Sequence, residues 1–387
     1  MAIRSFPTKS KMKTSLLEIK EELKKKSKHK TDSLVKLKLT KDERKLIDEI
    51  KEKTRQLNVN NVTRTQAYFD FYRQHPEIHW ALLGHMVSRN GGWHMTDLKG
   101  DLLTRLMSEK EQKNFFSFLE RGNWLIFQDV FPQFLLYKQS LKLKKNLFYL
   151  LPHLNVSRFM ETIWNNFWKN GDCSILAVAT IINEQSYLEK RVIQNHYFKK
   201  TVLNTIGFKL YDFLRFNQII FPFYKNQNTE KPHLIGETLQ HFESLHERIM
   251  LGKRLYSLLF QQKSIFQGVL NWATNHSHTG SRNDYWDHLF HTINESLPGT
   301  IYRKRTKKCQ LKKGAKRIYS PPLQFSWKNV DHQEAENGDW FEDWRIADYL
   351  IEEEKEVGGK IYDDYCKTIE KIELAIVTKK AIFHRRE

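Results

Sequence analysis

Two polar blocks of the chain carry residue types able to hold an anion or move a proton. The first, HMVSRNGGWHMTD at 85–97, sets His85, Arg89, Asn90, His94 and Asp97 around a double glycine. The second, NHSHTGSRNDYWDHLFHTINE at 275–295, offers His278, Ser281 and Arg282 at a helix start, then Asp284, His288 and His291. Free amides beyond Gly91 and Gly92, with Arg89 and His94 beside them, would suit an anionic ligand at the start of the next helix. The competing reading is a plain corner in which Asn90-Gly91-Gly92 ends one helix by supplying left-handed backbone. A nucleotide loop is excluded, since the G-x-x-x-x-G-K-[ST] spacing is missing and no strand precedes the block. Asp284, His288 and His291 recur at i, i+4 and i+7, which on a helix presents weak metal candidates but also describes a solvated face. No cofactor is expected. Ser281 reads as a helix cap, because no G-x-S-x-G elbow surrounds it. Glu243 and His246 form half of a di-iron carboxylate motif, and the other match, Glu230 to His233, is broken by Pro232.

Helices must position these blocks. Capping boxes open elements at Thr40 with Glu43 and at Ser108 with Glu111, and Thr63 with Gln66 and Ser281 with Asp284 stand at the matching offset. Pro76 separates two helices, since proline suits a first helical turn and breaks an interior. The helix bearing Phe115, Phe118 and Leu119 is expected to stop at Gly122. The stretch at 172–195, apolar nearly all round in its first half, belongs in the middle of the domain. Residues 235–262 read as one long amphipathic helix, and no run of alternating strands is seen before residue 300. The fold class is therefore all-α, with a single multi-helix core at 39–299.

The flanks differ in composition. Residues 1–38 are lysine-rich with few large apolar groups, so they read as a disordered basic tail with helical tendency around Leu16 to Lys26. Residues 300–330 form a basic segment, irregular or a short hairpin, in which Pro321-Pro322 excludes a helix. Residues 331–387 carry an acidic segment that either folds back over the basic one, partly neutralising it, or leaves it free, and a final helix near 360–380 that packs on the core.

With 387 residues, 40% of them hydrophobic and 13% aromatic, the chain can bury a real core. Its formal net charge of +19 favours polyanions, nucleic acid first, or a protein partner; peripheral contact with an anionic membrane is the weaker option. Cys173, Cys309 and Cys366 lie far apart with no C-x-x-C spacing, which suggests neither a disulfide framework nor a zinc ribbon and fits a reducing cytoplasm. The longest apolar run, CSILAVATII at 173–182, is too short to span a membrane.

The blocks NVTRTQAYFDFYRQHPEIHWALLGHMVSRNGGWHMTDLKG, HTGSRNDYWDHLF and YSPPLQFSWKNV resemble the YppC-like family of Bacillus and related Firmicutes, a domain of unknown function, over about residues 55–340. The resemblance implies a bacterial cytoplasmic protein and transfers no catalytic residues. The sequence thus points to a helical, non-enzymatic binder of a polyanion or protein partner. The alternative is an enzyme whose pocket gathers the polar residues of 85–97 and 276–291, with metal assistance from Asp284, His288 and His291.

Overall fold

Thr40 and Ser108 both form complete capping boxes, each hydroxyl accepting from the third residue of its helix while Glu43 or Glu111 reaches back. At the next helix the cap is Asn60, with Thr63 as its reciprocal partner, so the pairing of Thr63 with Gln66 is corrected. A computed structural model describes residues 9–28, 38–205, 207–208, 217–225, 231–239, 241–296, 300–336, 338–352 and 358–383. Its long helices are α1 (Lys9–Lys28), α2 (Lys41–Leu57), α3 (Asn61–Gln74), α4 (His79–Asp97), α5 (Glu109–Leu143), α6 (Arg158–Asn170), α7 (Cys173–Leu188), α8 (Leu245–Phe260), α9 (Lys263–Asn275) and α10 (Tyr362–Phe383). The fold is mainly α. Helix α7 lies at its centre, against α4, α5, α6 and α8, as its all-round apolar surface requires.

Two helices run through residues expected to stop them. Helix α4 continues through Asn90-Gly91-Gly92 to Asp97, and α5 continues through Gly122 and Pro132 to Leu143. In α5, buried Phe127, Val130 and Phe134 follow Phe115 and Phe118 at helical spacing, and that continuous apolar face outweighs one glycine and one proline.

The strand-free reading before residue 300 is also corrected. Strands β1 (Gln218–Phe223) and β2 (His233–Thr238) form an antiparallel hairpin in register from Gln218↔Thr238 to Phe223↔His233. The apparent long helix at 235–262 is therefore β2 followed by α8, which Ser244 caps. At Gly236 a Cβ would sit 1.9 Å from the Ile219 carbonyl oxygen, so only glycine admits this strand pairing. Further along, β3 (Phe290–His291) pairs in parallel with β6 (Ile318–Tyr319), while β4 (Thr306–Lys307) and β5 (Gln310–Leu311) form a second hairpin. Its turn residues, Lys308 and Cys309, have φ of 49° and 55°.

The basic N-terminal segment is not a free tail where it is described. Helix α1 packs between α6 and the turn at Trp344–Leu350, with Ile19 and Leu23 fully buried. Lys20 bonds Asp348 at 2.8 Å, Lys26 bonds Glu161 at 2.9 Å, and Lys20 and Lys24 lie over the Trp344 ring. Two apolar residues one turn apart are enough to dock a helix whose other faces are cationic. Residues 1–8 and 29–37 of the expected tail lie outside the described residues.

Candidate functional site

The two polar blocks meet along one seam. Gly91 and Gly92 are glycine because α4 passes closely against its neighbours there. A Cβ on Gly92 would lie 2.3 Å from Asn61 Oδ1 and 2.5 Å from His278 Nε2, and one on Gly91 would lie 3.1 Å from Asn123 Oδ1. The bond that crosses Gly92, from His278 Nε2 to Asn61 Oδ1 at 2.8 Å, ties the second block to α3. Asn61 itself donates to the Ser88 carbonyl at 2.9 Å.

Each predicted site residue has a protein partner in this seam. His85 Nδ1 lies 2.8 Å from the Thr65 carbonyl, and its Nε2 accepts from Arg89 Nε at 2.9 Å, which fixes the neutral tautomer. Arg89 is 1% exposed, donates to the His276 carbonyl and covers the Trp272 ring, leaving Nη1 without a partner. Asn90 exchanges two hydrogen bonds of 2.9 Å with the backbone of Ile220, acting as a one-residue strand on the free edge of β1. His94 bonds the backbone of Gln218, and burial together with the nearby Arg282 charge pushes it down to about 4. Arg282 grips Asp97 through Nε and Nη2 at 2.7–2.9 Å and bonds the Tyr285 and Tyr365 hydroxyls at 2.7 and 2.6 Å. Ser281 caps a single turn at Arg282–Asp284 and donates to the Ser320 carbonyl at 2.5 Å.

The expected helix after Ser281 does not form, so Asp284, His288 and His291 share no helical face. Asp284 accepts from the Thr279 amide and hydroxyl and stands 3.4 Å from His278 Nδ1, while His291 lies in β3. Glu243 precedes the Ser244 cap, so it and His246 do not share a helix either, and Glu230 lies outside the described residues. Among the described residues no three His, Cys, Asp or Glu are grouped to hold a metal.

The basic segment is organised by α10. Cys366, Glu370 and Glu373 stand at i, i+4 and i+7 on this helix, a spacing that sequence reasoning passed over. Cys366 forms a disulfide with Cys309, correcting the expectation of unpaired thiols. Glu370 accepts from Lys304 Nζ and the Lys308 amide, both at 2.7 Å. Glu373 accepts from the Tyr302 hydroxyl at 2.8 Å and from the amides of Arg305 and Thr306 at 2.6 and 3.0 Å. The acidic stretch after 331 runs elsewhere than over the basic one, with Asp339 on Arg158, Glu342 on Lys190 and Asp348 on Lys20. The hairpin therefore keeps most of its charge exposed: Arg303, Lys307, Lys308, Lys312, Lys313 and Lys316 all face solvent.

The three blocks quoted for the family resemblance converge on one groove of about 540 Å³, to which Val62, Thr63, His278, Pro322 and Trp327 contribute. Residues 56–361 match the family described as "Protein of unknown function (DUF2515)". The chain belongs to this family. It is 44% identical over 241 residues to "Uncharacterized protein YppC" of Bacillus subtilis (strain 168), an alignment covering 62% of this chain and 73% of that relative. No solved structure matches. The family match takes in both polar blocks, the groove and the basic hairpin, whereas α1 and α10 lie outside it.

Proposed function

We propose that the chain is a non-enzymatic, cytoplasmic binder of polyanions, that its contact surface is the β4–β5 hairpin with its flanks, and that the polyanion is the phosphate backbone of nucleic acid. One observation carries this reading. Six cations within residues 303–316 are exposed, and none of them makes an ion pair among the described residues. Lys304, Arg305 and Arg317 are instead held by Glu370, Asp101 and Glu295. The disulfide and the two α10 carboxylates set the hairpin in place, so little conformational freedom is lost on binding. Both bonded cysteines are buried, which limits thiol exchange in a reducing compartment.

Phosphate is favoured over a lipid surface because the exposed side chains of 303–317 include no large apolar group, and exposed Ile301 beside them is a single side chain, too little to anchor in acyl chains. No helix among the described residues is long and apolar enough to cross a membrane. A protein partner is an outcome of the test below. The enzymatic alternative is weaker, because the acid–base groups lining the groove are already engaged by protein partners: His278 by Asn61 and Asp284, and Glu120 by Arg64 at 2.5 Å.

Fluorescence anisotropy with a labelled DNA duplex of arbitrary sequence, over a series of salt concentrations, tests the proposal. Replacing Lys307, Lys308, Lys312 and Lys313 together by Gln is expected to flatten the log K against log salt slope by up to about 3.6, roughly 0.9 for each phosphate left without its lysine. An unchanged slope and affinity would overturn the proposal, as would capture by anionic vesicles or an acidic protein with no binding to the duplex.

A further inference from the structure

A second feature of the structure is unrelated to the hairpin. Helices α3, α4, α5, α7 and α8 and strand β1 line a partly open pocket of about 250 Å³, walled mainly by apolar groups such as Tyr68, Leu83, Phe118, Leu251 and Leu255. Native interiors hold few voids larger than one water, and a water occupies about 30 Å³ of liquid, so this space exceeds a packing defect. Its shape and lining are those of a small-molecule site.

One carboxyl group in the wall has no ionic partner among the described residues. Glu184, on α7, is partly exposed and lines this pocket. It accepts from Gln185 Nε2 at 3.1 Å and from the Trp80 indole. The two cations on the same wall already have carboxylates, Arg64 with Glu120 and Arg248 with Glu189. His94 borders the space as a neutral ring. Burial, reinforced by the Asp129 charge, pushes the Glu184 carboxyl up to about 8, so the empty site holds a neutral acid at pH 7.

We propose that this pocket binds a small, mostly apolar primary amine, with the Glu184 carboxyl holding its nitrogen. Apolar walls take the alkyl part, and Glu184 is the wall carboxyl that no cation among the described residues already holds. An alkylamine is protonated in water, its pKa close to the ~10.4 of a lysine side chain. Seating it against a protonated Glu184 releases one proton, whether the bound pair is ammonium with carboxylate or amine with carboxylic acid.

The test uses the full chain and three probes of one alkyl length: octylamine, 1-octanol and octanoate. Titration calorimetry at pH 7 in two buffers of different ionisation enthalpy gives affinity and protons released. Octylamine is expected to bind about tenfold tighter than 1-octanol, the scale of one charge-assisted hydrogen bond. Octanoate should bind weakest, and nearly one proton should leave per amine bound. Glu184→Gln is expected to keep the alcohol affinity while losing both the amine preference and the proton release. The proposal is overturned if none of the three binds, if octanoate equals or exceeds octylamine, or if Glu184→Gln retains the amine preference.

Discussion

His94 and Glu184 line the same pocket and respond to pH in opposite senses. The His94 ring titrates at about 4 in the folded protein, against about 6.5 when unperturbed. Between those values the unfolded chain binds the proton that the fold refuses. The stability from neutral His94 is therefore full above pH 6.5 and is lost as pH falls toward 4, by about 3 kcal/mol at one pKa unit per 1.36 kcal/mol. Burial acts the other way on carboxyl groups and raises Glu184 to about 8 and Asp129 to about 7. Their contribution is complete below about pH 4, the unfolded carboxyl range, and is lost as pH rises through 7 and 8. Other histidines with lowered values, His79, His85 and His278 among them, act as His94 does, and their unfolded rings still titrate at pH 6.5, so the carboxyl groups set the slope among these groups only from about pH 7.5 upward. Urea unfolding at pH 7.5, 8.0 and 8.5 is expected to show stability falling with pH, and Glu184→Gln is expected to flatten that limb. A wild-type profile that rises over this range would show that Glu184 is not held protonated. Arg89 is a buried cation whose partners are carbonyls, an imidazole and an indole face, with no carboxylate in contact among the described residues.

Glycine inside a helix has two different explanations in α4 and α5, and one substitution separates them. Gly122 of α5 has nothing within 4 Å of an added Cβ, so Gly122→Ala should stabilise by up to about 1 kcal/mol through helix propensity and a less flexible unfolded chain. Gly92 of α4 is closed in by Asn61 and His278, so Gly92→Ala should destabilise by about 1–3 kcal/mol, the usual range for overpacking. Thermal melts of the two variants should move in opposite directions, and a shared direction would refute the close-approach account of Gly92. These two residues also show what could be read in advance. Caps at Thr40 and Ser108 and the central place of α7 were legible, because a cap or an apolar surface is written in adjacent residues. The reason for Gly92 was not, since it lies in two side chains brought from distant parts of the chain. The same holds for Asn90, whose meaning is the edge of β1, and for β2, whose six residues merge into the apolar pattern of α8. Both polar blocks stand out as unusual in the sequence, yet their polarity closes a seam between elements. Glu184 sits in the polar run Asn183-Glu184-Gln185-Ser186, where adjacent residues give no sign of the pocket it lines.

For the whole molecule the docked first helix has the largest consequences. Fully buried Ile19 and Leu23 each contribute about 1.5–3 kcal/mol of burial, and the ion pairs to Glu161 and Asp348 add little because they are partly exposed. Deleting residues 1–28 is accordingly expected to lower the melting temperature by at least about 5 °C. An unchanged melt would mean that α1 does not hold its place in solution. The two sides of its berth are made at very different times. Asp348 follows Lys20 by 328 residues, and translation at 5–20 residues per second needs roughly 15 to 65 s to cover that distance. Until the turn at 344–350 is made, at least one side of the berth is unwritten, and before α6 is made both are. The lysines of α1 keep it dissolved while it waits. Any nascent chain arrested before residue 344 presents an unseated first helix to chaperones and proteases, whatever the state of its finished middle.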